Sequence, residues 1–262
     1  MRQVDYLARF IRLAPLSLAM ARAADAEALA TVELQEPLLD LGCGQGWFAH
    51  VFLAGRPAIG LDLNAQELLS AQRHGYGGPH VAASAEAIPF RHASFATVLA
   101  NSVLQHIPDL DAALREIARV LRPGGRLVIT VPSDAFGDQL LVTAGLRALG
   151  LRRAANRYVG FIDRYFVHRN RFGLDQWRQR MQAAGLSIAR GEPYFPPSAQ
   201  HLYELLLPVS VPSKICRRVL GRWVVGPRGW VDVLFGGLVR RRLRQQADRG
   251  SYLLIVAEKP GA

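Results

Sequence analysis

The stretch 38-LLDLGCGQGWFAHVFL-53 places one aspartate, three glycines and one cysteine between two apolar runs. Asp40, Gly42, Gly44 and Gly46 form the pattern D-x-G-x-G-x-G, which follows a predicted strand and precedes a predicted helix. Glycines at such a junction allow unusual backbone angles and the close approach of a ligand. The pattern therefore predicts a loop that binds a nucleotide or a nucleoside.

Two phosphate-binding interpretations fit this loop poorly. A dinucleotide fingerprint is G-x-G-x-x-G, and its third glycine would fall on Trp47. A phosphate-binding loop needs G-x-x-x-x-G-K-[ST], but residues 1–150 contain no lysine. Asp62 stands 20 residues after Gly42, at the end of the next predicted strand. A carboxylate at that place usually accepts hydrogen bonds from ribose hydroxyls, which favours a nucleoside ligand.

Strands and helices alternate along the first half of the chain. Apolar runs predict strands at 37–42, 58–64, 80–84, 94–102 and 126–133. Helical spacing predicts helices at 46–55, 65–75 and 109–125, after a helical N-terminal segment at 3–31 with a break near Pro15. This alternation with short loops is typical of a doubly wound, Rossmann-like sheet in an α/β fold.

The second half is less regular. We predict a helix at 174–185, a strand at 186–195 and a final strand at 251–259. The sheet is expected to be mainly parallel, with one antiparallel strand near the C-terminus. A long segment, 196–250, lies between the last two strands and is both apolar and basic. A bare α/β core needs only a short turn there, so this segment is predicted to be a helical insertion.

Five motifs follow one another in order and carry a family resemblance. They are LLDLGCGQG, GLDLN, SAEAIPF, ANSVLQHIPDLDAALREIARVLRPGG and RLVITVPS. Together they resemble a class I S-adenosylmethionine-dependent methyltransferase of the small-molecule branch, similar to methyltransferase type 11. The likeness covers roughly residues 30–135, with a weaker match through 168–186. It implies one domain over 1–262, with an N-terminal helical cap (1–31), a cofactor-binding core (32–135) and a substrate side (136–262).

The resemblance also implies a role for each residue around the cofactor. Asp40 and the Gly42–Gly46 loop would hold the methionine moiety and the ribose through backbone groups. Asp62 would bind the ribose hydroxyls, and Asn101, at the end of the fourth strand, would line the methionine side of the pocket.

Near the expected position of the adenine, the sequence departs from the family pattern. Leu63 would pack on the adenine, and Ser84, Ala85 and Glu86 fall where the family contacts the adenine edge. The family often has Asp in place of Ser84, so the adenine amino group would have a weaker partner. Ala96 replaces another common Asp, which is a structural residue. The alternative to an S-adenosylmethionine site is a protein that keeps the fold without binding the cofactor.

With S-adenosylmethionine the reaction would be an in-line displacement at a methyl group, which needs aligned reactants and, for a hydroxyl or protonated amine, a general base. His106 and His168 are the candidate bases, each with a structural role as the alternative. Tyr165 and Asn170 are neighbours that could orient an acceptor. Cys43 is predicted to be a small packing residue. No His, Cys or Asp cluster has the spacing of metal ligands.

The positive charge is concentrated in the second part of the chain. Residues 1–150 hold 12 Arg/Lys and 14 Asp/Glu, a net charge of −2, and residues 151–262 hold 20 and 7, a net charge of +13. An Arg-rich composition alone does not explain this asymmetry. An anionic partner is therefore expected to meet the second part.

The segment 214–244 combines arginines with apolar side chains. In KICRRVLGRWVV (214–225), Ile215, Val219 and Trp223 are four residues apart, and the run 230–239 leads into RRRLR (240–244). These features suit a helix on an anionic membrane surface, a lid over a long apolar acceptor, or an ordinary packed insertion. RNA binding is a further alternative, but no recognised RNA-binding module accompanies it.

The cysteine content and the N-terminal sequence bear on the cellular compartment of the protein. Cys43 and Cys216 are too few and too far apart for a disulfide framework, which favours the cytoplasm, with membrane association as an addition. The N-terminus weakly resembles a signal peptide, but Asp5 and Pro15 interrupt the pattern.

From the motifs and the charge distribution together, we expect methyl transfer to a small or lipid-linked acceptor. An RNA methyltransferase and a non-catalytic binding protein are the alternatives.

Overall fold

The protein is described by a computed structural model that covers residues 4–210, 212–213, 216, 223, 229–245 and 249–261. Its first helices are α1 (Tyr6–Ile11) and α2 (Leu16–Leu29), and Pro15 lies between them as predicted.

Strands and helices then alternate. The strands are β1 (Leu38–Leu41), β2 (Ile59–Asp62), β3 (His80–Ala82), β4 (Phe95–Asn101) and β5 (Leu121–Pro132), and the helices are α3 (Trp47–Phe52), α4 (Ala65–Arg73) and α5 (Leu110–Val120). All four residues of β1 are buried, which accounts for the three leucines that flank Asp40 in this strand. Asn64 begins α4 and Asp109 begins α5, because each side chain accepts hydrogen bonds from the first turn of its helix.

The second half contains more helix than its sequence pattern indicated. Its elements are α6 (Leu141–Ala148), α7 (Arg152–Phe166), α8 (Leu174–Ala183), β6 (Ser187–Tyr194), α9 (Pro197–Leu206), α10 (Gly229–Val231), a π-helical segment (Asp232–Gly236), α11 (Gly237–Leu243) and β7 (Tyr252–Glu258). Helices α6 and α7 were not predicted. Most of the predicted helix at 214–225 lies outside the described residues.

The seven strands form one sheet in the order β3-β2-β1-β4-β5-β7-β6. Strands β1 to β5 pair in parallel, whereas β7 runs antiparallel to β5, with Ile129 opposite Ile255. The predicted α/β, Rossmann-like sheet with an antiparallel strand near the C-terminus is confirmed. The strand order reverses beside β1, which creates the crevice in which such sheets bind ligands.

The predicted helix at 109–125 is too long. Helix α5 ends at Val120, and Leu121 already pairs with Phe95 of β4. Pro123 excludes the predicted continuation to residue 125, since a proline disfavours helical angles at the preceding residue, Arg122. The Pro-Gly-Gly sequence thus lies in the extended segment and not in the last helical turn.

Contacts within the chain divide it into two compact units. The sheet unit consists of Thr31–Asp134, Ile162–Pro193 and Tyr252–Ala262, and its core contains the apolar residues of the strands, of α5 and of α8. The helical unit consists of Met1–Ala30, Ala135–Phe161 and Tyr194–Ser251. The expectation of one domain with an N-terminal cap stays a prediction.

No helix in the described part of the chain combines the length and apolarity needed to cross a membrane.

Candidate active site

Three strand ends of the sheet unit meet where the strand order reverses. Strand β1 pairs in parallel with β2 on one side and with β4 on the other, so the loops after these strands leave the sheet at one edge. The glycine loop follows β1, Asp62 ends β2 and Asn101 ends β4. The structure therefore brings together three features that the sequence predicted separately.

The glycine loop has a left-handed backbone at each of its three glycines. The φ angles of Gly42, Gly44 and Gly46 are 71°, 53° and 72°. A Cβ atom at Gly42 would lie 2.4 Å from Cγ2 of Val103, and one at Gly46 would lie 2.9 Å from Cβ of Ala71. The first and third glycines are thus required by packing as well as by backbone angle.

Gly44 differs from its two neighbours because it borders open space. The nearest heavy atom to a Cβ built there is Oδ2 of Asp62, at 3.9 Å. Oδ2 accepts a hydrogen bond from the Gly44 N–H at 2.8 Å, and Oδ1 accepts one from the Asn64 N–H at 2.9 Å. The carboxylate is held in one orientation, and each oxygen still has a lone pair for a further donor, such as a hydroxyl group. Leu63 follows with an exposed apolar side chain.

Asp40 lies beneath this loop in a buried position, and the hydroxyl of Tyr76 donates a hydrogen bond to its Oδ2 at 3.2 Å. Burial raises the pKa of Asp40 to about 7. Burial also raises the pKa of the Cys43 thiol, and its Sγ lies 2.8 Å from the position of a Cβ on Gly60. Cys43 is therefore a neutral packing residue. Sequence reasoning missed Tyr76, since its turn, GYGG, gives no sign of a contact 36 residues away.

The free energy of unfolding of the wild type is expected to fall as the pH rises through the pKa of Asp40. Replacing Asp40 with asparagine should prevent this fall. The pKa of the carboxyl group rises from 3.8 to about 7 on folding, so the folded state binds the proton more tightly. Its contribution to the free energy of unfolding is fully present below about pH 4 and is lost as the pH rises through about 7, by at most about 4 kcal/mol. The unfolding free energy of Asp40→Asn minus that of the wild type should therefore increase over this range, as urea titrations can measure.

Asp111→Asn is a matched control for this experiment. Its carboxylate is exposed and paired with Arg180 at 2.7 Å. The unfolding free energy of Asp111→Asn minus that of the wild type should therefore change by less than about 1 kcal/mol over the same pH range. If the difference in unfolding free energy between Asp40→Asn and the wild type is constant between pH 4 and 8, the pKa of Asp40 is not raised.

Residues 84–86 form a turn beside the end of β3. Oγ of Ser84 accepts a hydrogen bond from the Glu86 N–H at 3.1 Å, and the backbone of Ala87 closes the turn onto Ser84 O at 3.1 Å. The carboxylate of Glu86 accepts from the Asp109 N–H at 2.9 Å, at the start of α5. Hydrogen bonds within the turn therefore hold the residues that were predicted to contact adenine, and the Glu86 carboxylate is bound to the start of α5.

Asn101 is fixed by the neighbouring strand. Its Oδ1 accepts a hydrogen bond from Oγ1 of Thr130 at 2.5 Å. The next residue, Ser102, has a left-handed φ of 56°, and its N–H donates to Thr130. Thr130 and Ser102 were not predicted, because their importance arises from strand pairing between β4 and β5 and not from a local motif.

The segment 167–170 is bound to the loop after β4. The backbone N–H groups of Arg169 and Asn170 donate to Gln105 O at 2.8 and 3.1 Å. The Asn170 amide group donates to Leu104 O and Ile107 O, at 2.9 and 2.8 Å. Asn170 therefore anchors this loop through its Nδ2 group.

Both candidate histidines lie at this junction, with ring centroids 6.1 Å apart. Nδ1 of His106 is 3.0 Å from Val167 O, and Nδ1 of His168 is 3.3 Å from Oδ1 of Asp163. Because a carbonyl or a carboxylate can only accept, each neutral ring carries its hydrogen on Nδ1 and its lone pair on Nε2.

The other carboxylate oxygen of Asp163 is itself held in place. It accepts from Arg171 at 3.1 Å, and Arg171 also donates to Asp134 O at 2.9 Å. The His168 side chain is buried, and Phe166 stacks near it with ring centroids 5.6 Å apart. Tyr165 lies beside Phe166, with an exposed ring. Sequence reasoning missed Asp163 and Arg171.

The chain is similar to known proteins in sequence and in fold. Residues 39–129 match the model of a family described as "Methyltransferase domain". The chain is 35% identical over 134 residues to a malonyl-[acyl-carrier protein] O-methyltransferase of Erwinia billingiae (strain Eb661), a match of 50% of this chain and 52% of that protein. It is 36% identical over 124 residues to an uncharacterized methyltransferase of Mycobacterium sp. (strain KMS), covering 46% and 48%. The chain spans about half the length of these curated relatives.

Solved structures extend the likeness over nearly the whole chain, at the level of the fold alone. The [4+2]-cyclase SpnF superposes with a TM-score of 0.59 and 20% identity, covering 95% of this chain and 84% of that one. Geranyl diphosphate C-methyltransferase from Streptomyces coelicolor A3(2) has a TM-score of 0.58 and 19% identity, covering 90% and 76%. One fold thus carries reactions of different kinds, so the function must be argued from the site.

Proposed function

Residues 39–129 form a class I methyltransferase domain, and on that premise we propose that the protein transfers a methyl group from S-adenosylmethionine to a small or lipid-linked acceptor. The observation that supports this most is the carboxylate of Asp62. It is fixed by the N–H groups of Gly44 and Asn64 and lies beside the one glycine of the loop that borders open space. This arrangement suits ribose hydroxyls.

The residues present fit the cofactor. Asp62 would bind the ribose, the backbone of Gly42–Gly46 the methionine and ribose, and Leu63 with the turn at 84–86 the adenine. Asn101 would face the methionine side. When bound, S-adenosylmethionine supplies a methyl group on a positively charged sulfur, which is already electrophilic. The main task of the protein is therefore to hold the acceptor in line with this methyl group.

We propose His168 as the general base for an acceptor that must lose a proton. Asp163 accepts a hydrogen bond from its Nδ1–H and orients the ring, so the proton of the acceptor would pass to Nε2. Arg171 positions Asp163, so these two residues together set the orientation of the His168 ring. His106 has the same tautomer through Val167 O and is the alternative base.

The acceptor atom is proposed to be oxygen, before nitrogen and carbon. The name of the Erwinia billingiae relative describes O-methylation of a malonyl group on an acyl carrier protein, and that of the Streptomyces structure describes C-methylation of geranyl diphosphate. Both names support a small or carrier-linked acceptor over RNA. We also propose a cytoplasmic location, supported by two free cysteines, and an anionic membrane surface as the place where a lipid-linked acceptor is met.

Labelled methyl transfer tests the proposal. S-adenosylmethionine labelled in its methyl group is mixed with the protein and an extract of cells of the source organism that lack the gene. Label in an organic fraction indicates a lipid-linked acceptor, and label in the small aqueous fraction indicates a free metabolite. If the protein binds S-adenosylmethionine and labels no fraction, it is a non-catalytic binding protein.

His168→Gln is expected to slow this labelling at least tenfold while S-adenosylmethionine binds within about threefold of the wild-type affinity. The general base acts on the acceptor and not on the cofactor. The variant should therefore lower the rate of labelling without a comparable loss of affinity for S-adenosylmethionine. His106→Gln is the matched variant at the neighbouring ring and should retain more activity. Equal activity of His168→Gln and wild type would remove His168 from the mechanism.

A further inference from the structure

The helical unit carries an exposed apolar surface on the segment from Gly229 to Leu243. The side chains of Trp230, Val233 and Leu234 are 59%, 84% and 65% exposed, and those of Phe235 and Leu238 are also exposed. Single apolar side chains on a protein surface are common, but five within nine residues form a continuous patch. Such patches mark surfaces that meet a protein or a membrane.

The opposite face of this segment is packed. Val231, Gly236 and Val239 are buried, the π-helical segment packs on α1, and α11 packs on α9. A Cβ at Gly236 would lie 2.1 Å from Asp232 Oδ1, so no larger residue fits at that position without movement. The segment is thus apolar on both faces, and packing with its own unit accounts for only one of them.

Ion pairs fix which face points outward. Arg240 pairs with Asp232 at 2.8 Å and with Asp5 at 2.7 Å, which ties the segment to the residue that begins α1. The exposure of Val233 and Leu234 is therefore a consequence of a defined orientation.

Within the segment that carries the patch, positive charges outnumber negative ones. Residues 229–245 contain four arginines and a single acidic residue, Asp232, which is paired with Arg240. The other three arginines, Arg241, Arg242 and Arg244, are exposed directly after the apolar run. Helices that lie in a membrane interface combine an apolar face containing Trp, Phe or Leu with arginines that attract anionic lipid.

We propose that residues 229–245 bind the surface of an anionic lipid bilayer, with Trp230, Val233, Leu234, Phe235 and Leu238 inserted among the lipids and the three arginines at the headgroups. A bilayer accepts apolar side chains without a complementary shape and draws the arginines by charge. An acidic protein would explain the arginines but not an apolar patch of this size. The inference does not depend on methyl transfer and can fail independently of it.

Co-sedimentation of the full chain with vesicles tests the inference. We expect binding to vesicles of phosphatidylcholine mixed with phosphatidylglycerol, and weaker binding to phosphatidylcholine alone. The double variant Val233→Ser/Leu234→Ser should reduce partitioning at least tenfold, because two exposed apolar side chains no longer enter the bilayer. Arg241→Gln/Arg242→Gln should reduce binding to the mixed vesicles only.

Leu149→Ser/Leu151→Ser is the matched control. These leucines belong to the same unit and are 75% and 51% exposed, so their replacement changes surface apolarity equally but should leave partitioning unchanged within twofold. Circular dichroism checks that all variants are folded. Brominated lipid should quench the fluorescence of the wild type more than that of Trp230→Phe.

Three outcomes would overturn the inference. The first is a wild type that does not sediment with mixed vesicles. The second is an equal loss of binding in the Leu149/Leu151 control. The third is a wild-type dimer in light scattering that Val233→Ser/Leu234→Ser converts to a monomer, which would assign the patch to a second copy of the chain.

Discussion

Asp62→Ala is expected to weaken the binding of S-adenosylmethionine at least a hundredfold. Two hydrogen bonds from ribose hydroxyls to a charged acceptor contribute about 3 kcal/mol together, which corresponds to about two orders of magnitude in affinity. The change also removes the acceptor that orients the Gly44 N–H, at 2.8 Å in the wild type. Isothermal titration calorimetry measures the affinity directly, without knowledge of the acceptor.

Asn64→Ala is the control for a loss of local stability between the end of β2 and the start of α4. The Asn64 side chain begins α4 by accepting from the Gln66 and Glu67 N–H groups at 3.0 and 3.4 Å. Its loss should lower the free energy of unfolding by about 1 kcal/mol, while the affinity stays within about threefold. If Asn64→Ala weakens binding as much as Asp62→Ala, the carboxylate is not a direct ligand. An unchanged affinity of Asp62→Ala would remove Asp62 from the site.

The elements that could be predicted from sequence are those whose signal is local. Strand β1 is a short apolar run, Asp62 ends the next strand at a recognisable distance from Gly42, and both lie where they were expected. Helices α6 and α7 were missed although both are amphipathic, so the helical spacing of their apolar residues was present in the sequence and was not recognised.

The supporting contacts of the site could not be predicted, since each joins distant parts of the chain. Tyr76 reaches Asp40 only because α4 and its following turn return under the glycine loop. Thr130 reaches Asn101 through the register of β4 and β5, and Asn170 reaches the loop after β4 from 66 residues away. A single sequence carries no signal for such pairs, whereas the residues that they position do show local patterns.

The second large effect is expected from Gly42→Ala, which should lower the free energy of unfolding by about 3 kcal/mol. An L-residue at φ 71° costs about 1–2 kcal/mol, and a methyl group 2.4 Å from Val103 Cγ2 adds the cost of overpacking, about 1–3 kcal/mol. Urea denaturation measures the total. The loop would also shift, so S-adenosylmethionine should bind more weakly.

Two further variants separate these contributions. Gly55 has a φ of 88° with no atom within 4 Å of a built Cβ, so Gly55→Ala should show the backbone cost alone, about 1 kcal/mol. Val103→Ala removes both γ-carbons that the new methyl group would meet. The double variant Gly42→Ala/Val103→Ala should therefore cost less than the sum of the single variants, by about the overpacking contribution. Strict additivity would mean that Val103 does not restrict Gly42. Because Val103 follows β4 and Gly42 follows β1, a measured coupling would also tie the glycine loop energetically to the strand end that carries Asn101.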